Sequence, residues 1–136
     1  MVVIPETHRD LLTGEVVLAT NGVDGQPQLT AIVVRLADDG TIDTSLGAGR
    51  QKYKNIERDP HVTVFRADPE VPMRTIEVRA TAEIIPDPDK SWSRAYAAQL
   101  GFDIDAIDGP GDVRSRVRLH PVKVNVLAPG RGPGEL

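Results

Sequence analysis

The sequence predicts a mainly β domain with short helices, in which six strands on short antiparallel connections curl into a small barrel. Three observations carry this. Turn chemistry recurs at close intervals in the first third of the chain, at Asn21-Gly22-Val23-Asp24-Gly25 and at Ala37-Asp38-Asp39-Gly40. The runs between turns are rich in Val, Ile and Thr and follow a period of two. The helix-like stretches are short and few, so the crossover units of a parallel sheet are missing.

At the N-terminal end, residues 5–12 read as a short helix. Leu11 and Leu12 follow polar residues and Gly14 stops it, so it should pack as a lid on the sheet. Residues 15–21 and 28–36 form the arms of a hairpin, and residues 41–46 add a third strand. After Gly47-Ala48-Gly49 the alternation ceases, and residues 50–59 make a short helix stopped by Pro60. Residues 61–67 are strand-like and lead into the Pro-bearing turn Asp68-Pro69-Glu70-Val71-Pro72. Over residues 73–84 Ile76, Val78, Ala80, Ala82 and Ile84 alternate with Thr75, Glu77, Arg79, Thr81 and Glu83, giving one buried face. Asp87-Pro88-Asp89 opens a helix with Trp92, Tyr96 and Leu100 at helical spacing, ended by Gly101. Residues 103–110 are an acidic connector. Residues 113–127 form a last long strand whose parity changes from Val117 and Leu119 to Val122, Val124 and Val126, which implies a bulge at His120-Pro121. One domain is expected over 1–127, with a flexible Pro/Gly-rich tail over 128–136.

Composition excludes several chemistries. With no cysteine there is no disulfide, thiolate nucleophile or cysteine-held metal. His8, His61 and His120 are too scattered for a local metal motif, and Asp103, Asp105 and Asp108 do not match a calcium loop. A net charge of −4 argues against a nucleic-acid grip by the whole surface. The longest apolar runs, such as Val16 to Ala19, are four residues, far from a membrane span. The N-terminus has no secretory pattern, and a cytoplasmic location is expected.

One local pattern stands out. Arg50, Lys52 and Lys54 crowd the start of a helix, where the macrodipole is already positive and acidic residues are preferred. A bound phosphate would reverse the sign, since backbone N–H groups, dipole and cations would all stabilise one anion, and Gly47 and Gly49 would let it approach. A solvated basic helix balanced by Glu57 and Asp59 is the alternative. The Gly47-x-Gly49-x-x-Lys52 string lacks the third glycine of a dinucleotide fingerprint and the ending of a P-loop. Arg114, Arg116, Arg118 and His120 share one parity of the last strand, either as a stripe for a second anion or as an exposed strand face. Trp92 and Tyr96 either cover a planar ligand or pack in the core. No Ser–His–Asp order is legible, so an enzyme on this chain would rely on a cofactor.

The stretches Leu18-Ala19-Thr20, Gly25-Gln26-Pro27-Gln28-Leu29-Thr30, Thr44-Ser45-Leu46 and Arg50-Gln51-Lys52-Tyr53-Lys54-Asn55-Ile56-Glu57-Arg58-Asp59-Pro60 resemble the pyridoxamine 5′-phosphate oxidase-like superfamily, in particular its F420-dependent oxidoreductase branch. The resemblance implies a six-stranded antiparallel split β-barrel of the FMN-binding type. It implies a homodimer with the cofactor at the subunit interface and a small-molecule substrate, while charge and the short apolar runs give the expectation of no nucleic-acid and no membrane partner. By the same resemblance Arg50 and Lys52 hold the cofactor phosphate, with Gln51 and Asn55 in support. Ser45 and Leu46 lie beside the ribityl chain or ring, with Thr30, Ala31 and Ile32 nearby. The implied activity is hydride transfer between the reduced deazaflavin coenzyme F420 and an unsaturated or quinone-like acceptor, with no catalytic residue assigned. FMN is the alternative cofactor, a non-catalytic cofactor carrier the alternative role, and a ligand-free structural barrel a third reading. The C-terminal substrate-binding pattern of pyridoxamine 5′-phosphate oxidase itself is missing, with Arg116 and Arg118 its only echo.

Overall fold

Six strands close on themselves in the order β1-β2-β3-β6-β5-β4, every neighbouring pair antiparallel. The structure is a computed structural model and describes residues 2–129; the expected tail therefore falls outside the described residues from position 130 onward. The strands are β1 (Gly14–Asn21), β2 (Pro27–Leu36), β3 (Ile42–Gly47), β4 (His61–Ala67), β5 (Thr75–Pro86) and β6 (Arg114–Leu127). Helix α1 (Gln51–Arg58) follows β3, and α2 (Ser91–Gln99) with α3 (Ile104–Ile107) lies between β5 and β6.

Period-two alternation fills the barrel. Val16 and Leu18, Ile32 and Val34, Val62 and Val64, Ile76 and Val78, and Val117 and Leu119 point inward and are buried. The opening helix, Glu6–Leu12, is of the 3-10 type and plugs one end with Leu11 and Leu12. Its His8 is buried; Nε2 donates to the Leu127 carbonyl at 2.9 Å and Nδ1 accepts from the Thr7 hydroxyl at 2.8 Å, so plug and last strand are tied together.

The bulge lies one residue beyond the expected His120-Pro121. Arg79 faces Lys123 while Ala80 faces Pro121, leaving Val122 as the extra residue, and it is exposed rather than turned inward with Val124 and Val126. Pro121 has no N–H to give the ladder, which is the local cause. The acidic connector also differs from expectation in holding α3, because the Asp103 carboxylate caps it by accepting the Asp105 N–H at 3.0 Å.

β3 is buried on both faces from Ile42 to Leu46, because α2 covers the wall's outside. Asp43 is consequently sealed under Arg35, Arg116 and Arg118, with Arg116 gripping both carboxylate oxygens at 3.1 and 3.2 Å. Arg116 in turn lies 4.8 Å over the Trp92 ring, which stacks on Tyr96 at 4.9 Å.

Candidate functional site

The barrel is split at one seam. β2 and β3 pair only at Arg35↔Asp43 and Leu36↔Ile42, after which the strands part. The Val33 carbonyl at the fork accepts from the Thr44 hydroxyl at 2.8 Å and from the Tyr96 hydroxyl, so side chains replace the missing ladder bonds. Ala31 lies two residues before Val33 and presents its backbone the same way, into the gap.

This gap is a cleft of about 370 Å³. Its walls are Ala31, Ile32 and Val33 on one side and Thr44, Ser45, Leu46 and Gly47 on the other; Arg50 and Lys52 stand on the α1 side, and Tyr96, Phe102, Ile107 and Arg114 complete it. Burial pushes the Tyr96 phenol up to about 12, so its hydroxyl stays a donor to Val33.

Of the residues singled out from the sequence, Ala31, Ile32, Ser45, Leu46, Arg50 and Lys52 are brought together here. Thr30, Gln51 and Asn55 are not among the lining residues. Asn55 is buried behind α1, where its amide donates to Thr20 Oγ1 at 3.1 Å and to Gln28 Oε1 at 3.0 Å and its carbonyl accepts from Gln51 at 2.9 Å. These contacts pin α1 to the barrel wall and so place Arg50 and Lys52. Thr30 sits on β2 with a buried hydroxyl that has no hydrogen-bond partner among the described residues. Of the aromatic pair, Tyr96 faces the cleft, whereas Trp92 is packed under Arg116. Reading alone did not place Phe102, Ile107 and Arg114 here; the helix in the connector, which brings Ile107 over the seam, was the missing signal.

The electrostatics of the cleft is one-sided. α1 has no acidic residue in its first turn, and Arg50, Lys52 and Lys54 have no ion-pair partner among the described residues. Asp59, which could have balanced them, is committed to Asn21 and His61. Burial, followed by the neighbouring Arg50 and Arg114, holds the Lys52 ammonium below the usual lysine range. Arg114 differs: its Nε and Nη2 grip Asp108 at 2.7 and 2.9 Å, and Asp108 also takes Lys90 at 3.0 Å. The stripe of the last strand is thus divided, with Arg114 at the cleft, Arg116 and Arg118 on Asp43, and His120 on Glu83 at 2.9 Å. No group of three or more metal-ligating side chains occurs among the described residues, and no helix among them is long and apolar enough to cross a membrane.

A model of the pyridoxamine 5′-phosphate oxidase family matches residues 4–128, which takes in the whole barrel and the cleft. The chain belongs to that family. Among solved structures of similar proteins, an F420 reductase is 29% identical with a TM-score of 0.77, over 90% of this chain and 98% of that one. A conserved hypothetical protein from Mycobacterium tuberculosis is 26% identical with a TM-score of 0.67, over 93% of this chain and 86% of that one. HupZ of Group A Streptococcus, 20% identical with a TM-score of 0.70 over 91% of this chain and 94% of that one, shares the fold. Among curated proteins none matches the chain. Membership of the pyridoxamine 5′-phosphate oxidase family makes a flavin-type oxidoreductase the general class to which the cleft has to be fitted.

Proposed function

We propose that this protein is an F420-dependent oxidoreductase that moves a hydride between the reduced deazaflavin and an unsaturated or quinone-like small molecule. The observation that carries the reading is the half-buried Lys52 beside Arg50 at the open start of α1, neither with an ion-pair partner among the described residues. Cations kept at that cost suit a ligand anion, and the donor set fits a phosphate: two side-chain cations and the N–H groups of a helix start. The F420 reductase that shares 29% identity supports the deazaflavin over other rings.

In this reading Arg50 and Lys52 hold the phosphate, while Gln51 and Asn55 act from behind by fixing α1. Ser45 and Leu46 flank the ring or ribityl chain, and Ala31 and Ile32 form the opposite edge, with Thr30 next to them along β2. The bound ring supplies the hydride chemistry; the chain supplies position and exclusion of water. A second copy of the chain completes the site. Outside the barrel Val17 faces Ala31 and Phe65 across the strands, and Ala19 faces Leu29, so Val17, Leu29 and Phe65 make an exposed apolar wall that runs into the cleft through Ala31. A partner seated there would border the ring.

The match to the pyridoxamine 5′-phosphate oxidase family favours FMN as the second reading, because the cradle accepts either phosphate. Titration of the protein with F420 and with FMN, followed by fluorescence, separates them. Saturable F420 binding that falls tenfold or more in the Arg50→Ala/Lys52→Ala variant is expected, since a charge-assisted hydrogen bond contributes about 1.5–3 kcal/mol. Binding of FMN alone would reject the deazaflavin. Tight F420 binding with no loss of reduced-cofactor absorbance against enones and quinones would make the protein a carrier.

A further inference from the structure

We infer that Ser45 presents its hydroxyl hydrogen to the cleft as a polarised donor, set in that direction by Arg114 and Asp108, and that it takes an electron-rich oxygen or nitrogen of the bound ring. The argument rests on counting hydrogens. Ser45 Oγ lies 2.7 Å from Ser93 Oγ and 3.2 Å from Arg114 Nη1, which also reaches the Ser45 carbonyl at 3.3 Å. A guanidinium only donates, so Arg114 occupies one lone pair of Ser45 Oγ. Ser93 is fully buried, and Ser45 is the sole partner of its hydroxyl among the described residues. Were Ser45 to donate to Ser93, the Ser93 hydrogen would be left without an acceptor in a dry site, at a penalty of about 1–3 kcal/mol. Ser93 therefore donates, both lone pairs of Ser45 Oγ are filled, and its own O–H has no acceptor among the described residues. Ser45 lines the cleft, so the hydrogen is available there.

Asp108 makes the direction permanent. It occupies Nε and Nη2 of Arg114, which leaves Nη1 for Ser45, and Lys90 at 3.0 Å holds Asp108 from the other side. The Asp108 side chain is 8% exposed, so the clamp is shielded from competing water. Ser45 also stands two residues, about 6.6 Å of strand, from Gly47 and the Arg50 cradle, which puts it at the ring rather than at the phosphate. The full positive charge behind its oxygen makes the hydroxyl favour a negatively charged acceptor. Asp108 and Arg114 are positioning residues in this scheme; Ser45 is the contact.

The proposal rests on the cofactor reading, and the test keeps the two apart. F420 and FMN are each bound to wild type, Ser45→Ala, Ser45→Thr and Asp108→Asn, and the pH at which the bound chromophore ionises is read from its absorbance. A donor facing the ring stabilises the ionised form. Ser45→Ala should therefore raise that pH by about one unit, a tenfold change, while Ser45→Thr, which keeps the hydroxyl, stays near wild type. Asp108→Asn should move it in the same direction by a smaller amount; if that variant does not fold, the Ser45 pair decides. Wild type binding a cofactor whose ionisation is unmoved by Ser45→Ala overturns the proposal and leaves the cofactor reading standing. Wild type binding neither cofactor refutes both.

Discussion

Lys52 offers a test in which one substitution has opposite effects on the free and the loaded protein. Its ammonium is partly buried between Arg50 and Arg114, and burial plus those two cations lower its pKa from 10.5. The unfolded chain therefore holds the proton more strongly, and stability rises with pH between the folded and unfolded values. Below the folded value the charge is a standing penalty; towards 10.5 the penalty vanishes. Lys52→Met keeps the aliphatic stem and removes the charge. Repulsion across a partly solvated gap is about 0.5 kcal/mol per neighbour, so two neighbours give about 1 kcal/mol at low salt and less when screened. For a domain of this size that is a rise of about 3–6 °C in thermal midpoint. The variant melted without ligand at pH 7 and low ionic strength should be the more stable, with the gain shrinking in high salt and near pH 10. With F420 or FMN present, the same variant should bind tenfold to a hundredfold more weakly. A lowered midpoint for the free variant would mean that Lys52 has a structural partner, and undiminished affinity would mean that no anion sits beside it; either result refutes the reasoning.

Asp43→Asn should destabilise the barrel by about 2–4 kcal/mol in urea unfolding, because three guanidiniums lose a buried carboxylate; the figure is below the full buried-pair penalty since Arg35, Arg116 and Arg118 keep 22–30% exposure. A loss under about 0.5 kcal/mol would show the cluster to be hydrated. Hydrogen bonds from His61 and Asn21 lower the Asp59 pKa from 3.8 to about 2, so its contribution is present above 3.8 and disappears as pH falls through about 2. Asp59→Asn should flatten that part of the melting-point-against-pH curve, and an identical acid limb in both proteins would contradict the assignment. Leu29→Glu should convert a dimer to a monomer in sedimentation without altering the far-ultraviolet spectrum; an unchanged sedimentation coefficient would move the interface off this wall.

Most of the fold was legible because its signals are local. Alternation at Ile76, Val78 and Ala80, the turns at residues 21–25 and 37–40, and the parity change after Leu119 each depend on neighbours along the chain. Strand ends shifted by a residue or two, as at Thr75–Pro86, where cross-strand pairing with β6 sets the limits. The cationic start of α1 was legible for the same reason, as a local violation of helix electrostatics. What could not be read were relations made across the fold. Nothing in the order of residues says that Asn55 faces Thr20 and Gln28, that Ile107 reaches the cleft, or that Arg114 and Arg116, two positions apart on one face, serve Asp108 and Asp43 respectively. The partners lie up to 73 residues away.

The place of the cleft follows from the same long-range contacts. β2 and β3 are joined by a short turn and would ordinarily pair along their whole length. Here β3 pairs with β6 over six residue pairs but with β2 over only two, and Asp43 marks the end of the β2 pairing, reached by Arg35 from β2 and by Arg116 and Arg118 from β6. The carbonyl of Val33, left at the fork, has both lone pairs filled by Thr44 and Tyr96, so β3 cannot reclaim it by closing up. Tyr96 is in turn fixed by the stack on Trp92 that Arg116 caps. Arg116 thus contacts both Asp43, at the last β2–β3 pair before the fork, and the aromatic pair that wedges the gap. The opening is therefore a feature that the barrel's own side chains build, and Arg50 and Lys52, with no ion-pair partner among the described residues, stand at its edge.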